Sequence, residues 1–213
     1  MMTPVVRRAV WLTLYATAMG LLEAAVVVYL RELYYPNGFS FPIQIIPPRI
    51  ALVEILREAT TLLMLLAVAV LAARDRTDGF FVFSFLFGCW DIVYYLGLRL
   101  FLGWPESVWT WDLLFLIPVP WLSPVVYPVA ISALLIAGFA VHERLRVRGR
   151  RLLPSGAEWA CACAGGALVI AAFCWHWRVV SRGTLPGPFP AWLFALGLAA
   201  GSAPFARALR RAS

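Results

Sequence analysis

The feature that leaves this chain least freedom is the length of its apolar runs. Ala9–Leu30, Arg49–Ala73, Phe80–Leu102, a run that ends at Ala140, Ala157–Val179 and Ala191–Ala206 follow one another with short polar breaks between them. The first covers ~22 residues, which at 1.5 Å each give ~33 Å, enough to cross a hydrocarbon core of ~30 Å. In hydrocarbon every backbone N–H and C=O needs an internal partner, and a helix supplies one within a single segment. The chain is therefore predicted to be all-α: a polytopic membrane helix bundle of about six transmembrane helices, one integral membrane domain over residues 1–213 set in the lipid bilayer. Composition agrees, since 62% hydrophobic residues, 14% charged residues and a mean hydropathy of +0.82 exceed what a soluble domain can cover with polar surface.

The fourth run does not fit one helix. From Asp112 to Ala140 the chain stays apolar for ~29 residues, which would make ~43 Å of straight helix, too long even with moderate tilt. Pro118 and Pro120 each remove a backbone donor and turn the preceding residue away from helix. The run is thus predicted to divide into a short interfacial or re-entrant helix, Asp112–Ile117, and a full span starting near Ser123, with Ser123 as cap and Pro124 in the first turn. The result is a proline-broken segment before helix four.

The formal charge of +7 comes from eighteen basic residues, all of them Arg. They punctuate the apolar runs rather than line one polar face, which argues against nucleic acid as a partner. Arg7, Arg8, Arg74, Arg76, the loop Arg144–Arg151 and the tail Arg207, Arg210 and Arg211 fall on one side of a six-span chain. The positive-inside rule then predicts both termini in the cytoplasm and a multi-pass protein of the plasma membrane. Cys89, Cys161, Cys163 and Cys174 all lie in apolar runs and read as small packing residues. Ala16-x-x-x-Gly20, Ala162-x-x-x-Gly166 and Gly197-x-x-x-Gly201 place small residues one turn apart and predict close helix contacts.

Against this background the acidic residues inside the runs stand out. A carboxylate at membrane depth costs from ~3 kcal/mol on insertion scales to ~10 or more in simulations of isolated helices, so it is expected to face a polar interior. Counted from the outer ends of their spans, Glu23, Glu54, Glu58 and Asp91 share one leaflet, between ~8 and ~16 Å deep. Glu54 and Glu58 lie on one helix face at i and i+4, with Arg57 placed to pair with Glu54. Tyr94, Tyr95 and Arg99 follow Asp91 on the next turns. Glu58, Asp91 and Glu23 are the candidates for acid/base work, because like charges in one site raise one another's pKa. Glu54, Arg57, Tyr94, Tyr95 and Arg99 are candidate binding residues, joined nearer the surface by Asp112 and His176. Asp112 reads equally well as a helix cap, and His176, among Trp175 and Trp177, as an interfacial anchor. Two His at opposite faces do not converge as haem ligands, whereas carboxylates alone suit a hard cation.

The motif WD-x-x-YY at 90–95, with GWP-x-S-x-x-TWD-x-LFLIP-x-PW at 103–121, resembles an uncharacterised family of bacterial polytopic membrane proteins. The resemblance covers about a fifth of the chain and groups Trp90, Asp91, Trp111, Asp112 and Trp121, but it implies no activity. The expected function is an intramembrane carboxylate/Arg/Tyr site in the outer half of the bundle. Such a site binds a cation or a lipid-like ligand and supports acid/base chemistry on it. The alternatives are a non-catalytic subunit or assembly factor paired with a membrane-protein partner, and a small proton-coupled transporter that uses the broken helix.

Overall fold

The computed structural model describes residues 3–44 and 46–212. The long helices are α1 (Pro4–Tyr34), α2 (Pro48–Ala72), α3 (Arg76–Leu102), α4 (Val126–Val147), α5 (Gly156–Phe173) and α7 (Ala191–Ala212), with a single turn, α6 (Trp177–Val180), after α5. Among the described residues six helical segments are long and apolar enough to cross a membrane, each overlapping a predicted run. The ends follow local chemistry. Thr3 caps α1 by accepting from Val6 N at 3.3 Å, Pro48 opens α2, Asp75 caps α3 through Asp78 N at 2.9 Å, and Ser155 with Glu158 forms a capping box on α5. Gly103, at φ +66°, ends α3 in the left-handed region that side chains disfavour.

Three predicted boundaries change. The segment expected as a short helix, Asp112–Ile117, is instead strand β1 (Trp111–Phe115), paired with β2 (Trp121–Pro124) in a hairpin. Pro118 and Pro120 occupy its turn, where a missing donor does no harm, and Phe115 meets Trp121 at 5.3 Å across the strands. The same pairing takes Ser123 and Pro124 out of the capping position, and α4 begins two residues later. Thr110 O accepts from Val125 N at 3.0 Å and Val108 O from Val126 N at 2.8 Å, which continues the ladder to the helix start. At its other end α4 runs on past Ala140 through Arg144 and Arg146, both expected in the loop. Arginines in a last helical turn complement its dipole, and His142 is buried there.

The chain gathers into two compact units. The first comprises residues up to Trp111 together with Pro124–Ala140. In it α1 and α3 run side by side in the same direction: a Cβ on Gly20 would lie 2.6 Å from Trp90 O, and one on Gly97 would lie 2.6 Å from Ala24 Cβ. α4 returns antiparallel to α3, with Gly88 against Ser132 O and Phe85 on Phe139 at 4.5 Å. α2 shows one buried stripe, Glu54, Glu58, Thr61, Leu65 and Ala69, at helical spacing. Leu52, Val53, Leu56, Leu63, Leu66, Val70 and Leu71 cover its exposed side, as on a helix that faces lipid.

At one end of this unit Asp78, fully buried, gathers three helices. Its carboxylate accepts from Arg8 Nη2 at 2.7 Å, from Arg74 Nη2 at 2.7 Å and Nε at 3.0 Å, and from Arg74 N at 2.8 Å. Arg8 also donates to Ala72 O at 2.8 Å. The start of α1, the end of α2 and the start of α3 are thereby tied together, so two of the arginines read as membrane anchors also close the unit.

The second unit comprises Asp112–Ser123 and the chain from Val141 onward. Its centre is the antiparallel pair α5 and α7, which touch backbone to backbone: a Cβ on Gly165 would lie 2.3 Å from Gly201 N and one on Gly197 would lie 2.8 Å from Gly165 O. The small-residue contact is therefore internal, as expected, but Gly165 makes it and Gly166 does not. Phe173 stacks near Trp121 at 6.1 Å and near Phe194 at 5.9 Å. Arg211 closes the far end of the pair with two bonds to Glu158, at 2.7 and 2.8 Å. The four cysteines are free; Cys161 and Cys163 are exposed rather than packed inside.

Candidate functional site

The intramembrane carboxylates are buried. Glu23, Glu54, Glu58 and Asp91 are each 5–8% exposed, and all four belong to the first unit. Arg57 organises two of them. Leaning from the edge of the α2 stripe, its guanidinium donates through Nε to Glu54 Oε1 at 2.7 Å, through Nη2 to the same oxygen, and through Nη1 to Glu23 Oε1 on α1. Glu23 Oε2 also accepts from the Thr61 hydroxyl at 3.2 Å. A forked, planar cation suits this task because one guanidinium addresses two carboxylates at once. Glu58 lies on the stripe between Glu54 and Thr61, and so between two members of this network.

Asp91 holds the α4 side. Its Oδ2 accepts from the Ser132 hydroxyl at 2.8 Å, one turn from the close contact of Gly88 with the Ser132 carbonyl. The contacts of Gly20 with Trp90 and Val93 and of Ala24 with Gly97 bracket Glu23, which puts it near the level of Tyr95, about one turn from Asp91 along the paired helices. The carboxylates thus fall in a layer about one to two turns deep across α1, α2 and α3 inside one unit.

Other expected members fall elsewhere. Arg99, expected as a binding residue beyond Asp91, caps its own helix by donating to the Gly103 and Pro105 carbonyls, the last of these at 2.9 Å. The carbonyls at a helix end lack intrahelical donors, and a cation in the last turn is drawn to them. Tyr94 and Tyr95 are buried in a row of rings: Phe87 meets Trp90 at 5.3 Å, Trp90 meets Tyr94 at 6.5 Å, Tyr94 meets Tyr95 at 5.0 Å, and Tyr95 meets Trp104 at 6.4 Å. Asp112 and His176 belong to the second unit. Asp112 lies in a strand instead of capping a helix, and its Oδ1 accepts from Leu113 N at 2.9 Å. His176 Nε2 lies 3.0 Å from Pro188 O, tying the Gly183–Pro190 loop back to the end of α5. The WD pairs likewise divide, with Trp90, Asp91 and Trp111 in one unit and Asp112 and Trp121 in the other.

Thr61, Ser132, Arg31 and Asp78 were not among the expected site residues. A hydroxyl inside an apolar helix carries little signal, since it can bond its own i−4 carbonyl, and only a facing carboxylate distinguishes it. Arg31 reads as a terminal anchor but is 7% exposed, with Cζ 3.6 Å from the Trp104 ring centre and 4.5 Å from that of Phe39. No protein family, curated protein or solved structure matches this chain.

Proposed function

We propose that the first unit is a membrane-embedded binding site whose ligand is a small cation or a lipid-like molecule, with proton exchange at Glu58 and Asp91. The observation that carries this reading is the layer of four buried carboxylates on three helices, two of them joined by one guanidinium. In a bundle built only for stability, each such group adds a desolvation cost that an apolar residue of equal size avoids. Glu23 and Glu54, held by Arg57, act as fixed charge, and Tyr94 or Tyr95 supplies a hydroxyl. The site opens toward the outer leaflet, with both termini in the cytoplasm of a cell whose plasma membrane holds the chain. Support for the orientation comes from the arginine-rich side and from the alternating directions of α1 to α4.

The protein purified gently in native lipid is expected to carry a stoichiometric cation or lipid, detected by elemental analysis and mass spectrometry. Glu58→Gln and Asp91→Asn are expected to abolish that content while the unfolding midpoint stays close to wild type. Retained content with a lowered midpoint would instead favour the second reading, a non-catalytic subunit whose acidic layer locks helices together. The mutual pairing of Glu23, Arg57 and Glu54 is the observation on that side. The carrier reading loses its specific support, because the segment before α4 is a hairpin and not a half-helix. Orientation has its own test: a thiol introduced by Arg148→Cys, in a chain without native cysteines, is expected to react only with reagent on the cytoplasmic side. Reaction from outside would reverse the topology.

A further inference from the structure

Where α1 and α3 finish, the first unit is covered by a short irregular segment. Tyr35 ends α1, its backbone N–H donating to Arg31 O at 2.7 Å, and the chain turns at Gly38, whose N–H donates to Tyr35 O at 2.9 Å. Gly38 has φ +92° and open space around it, so the turn is unhindered. Phe39 then meets Tyr35 at 5.0 Å, Phe41 at 5.6 Å and Trp104 at 5.9 Å, and Phe41 meets Trp111 at 6.5 Å. Arg31 lies beneath, its guanidinium over both the Phe39 and the Trp104 ring. Eight residues further down α1, ~12 Å along the axis, is Glu23. The row from Trp104 through Tyr95, Tyr94 and Trp90 leads to the level of Asp91.

We propose that Tyr35–Pro42 is a lid over this end of the unit, latched by Arg31 between Phe39 and Trp104, and that its opening admits ligand to the carboxylate layer. Ring edges and one stacked cation join the segment to the rest of the unit, and Phe39 makes two of these contacts, to Trp104 and to Arg31. A guanidinium held between two ring faces is stabilised by the ring quadrupoles, and it loses one of the two faces to water once Phe39 moves. The Trp104 indole N–H is buried beneath the lid with no hydrogen-bond partner. An unsatisfied donor weighs against the closed state, and an incoming water or ligand atom satisfies it. The inference rests on the binding site proposed above for what lies under the lid, but the movement itself is measurable without any ligand.

The test uses the full chain in lipid nanodiscs, with the native cysteines replaced and one thiol introduced by Thr61→Cys at the carboxylate layer. The probe is the cationic thiol reagent 2-(trimethylammonium)ethyl methanethiosulfonate, offered to both faces. Phe39→Ala and Arg31→Gln are each expected to speed its reaction at position 61 about tenfold, while Arg31→Lys, which keeps a cation but loses the planar fork, gives a smaller increase. A parallel chain with Ala69→Cys, at the other end of the buried α2 stripe, is expected to stay unreactive throughout. An unchanged rate at position 61 would overturn the lid, and so would an equal rise at position 69, which would show general loosening. If the lid responds as expected but no cation or lipid is found with the wild type, the binding site fails and the lid does not.

Discussion

Arg57→Met is expected to cost the protein on the order of 3–5 kcal/mol, read as a lower midpoint in detergent-titrated unfolding at fixed lipid. Methionine keeps the unbranched bulk of arginine, so the change is chiefly one of charge. It strips Glu23 and Glu54 of the guanidinium that both contact, while their burial remains. A carboxylate taken out of water and left without its cation bears the full desolvation penalty, which is why breaking one partner of a buried pair costs more than the pair contributes. The sharper part of the test is the combination with Glu23→Gln and Glu54→Gln. Removing the charges that need Arg57 is expected to recover most of the loss, a coupling that additive effects would not give. A single substitution that shifts the midpoint by less than ~1 kcal/mol would mean that water reaches these groups freely.

Asp78→Asn is the second change with a large expected effect, about 2–3 kcal/mol by the same measurement. The asparagine keeps the shape and can still accept from Arg74 N, but it no longer offers a charge to the two guanidiniums. The loss is smaller than at Arg57 because the Arg74 side chain is 36% exposed and Arg8 18%, so both can turn back to water. Arg8→Met and Arg74→Met are each expected to cost less than Asp78→Asn, since the carboxylate retains the other partner. An Arg8→Met loss as large as that of Asp78→Asn would show that the carboxylate acts through α1 alone.

The spans were legible because a run of twenty apolar residues has few alternatives in hydrocarbon, and Pro118 and Pro120 located the break before α4. The hairpin was not legible. WDLLF and WLSP lack the alternation of apolar and polar residues that marks a strand with one wet face, and what pairs them is the contact of Phe115 with Trp121 across the turn. At the site, the i, i+4 spacing of Glu54 and Glu58 announced a shared face, and depth alone placed Glu23 beside them. Arg99 misled because two demands competed for it: the charge of Asp91 two turns away and the bare carbonyls of its own helix end. Asp78 was hidden by the Asp-Gly pair, which reads as a turn until the N-cap at Asp75 shows the helix already under way. Gly165 and Gly166 differ by ~100° around the helix, and which one faces α7 depends on a crossing that sequence does not state.

The distance in sequence between the acidic groups and their partners bears on how the protein is made. Glu23 precedes Arg57 by 34 residues and Asp91 precedes Ser132 by 41. At ribosomal rates of ~5–20 residues per second each carboxylate enters the insertion machinery on the order of 2–8 s before that partner exists. During that interval α1 carries a carboxylate whose guanidinium is not yet made, so it is not expected to partition as an independent helix. α1 is then expected to wait beside the channel for α2, and the two to leave the translocon as a pair.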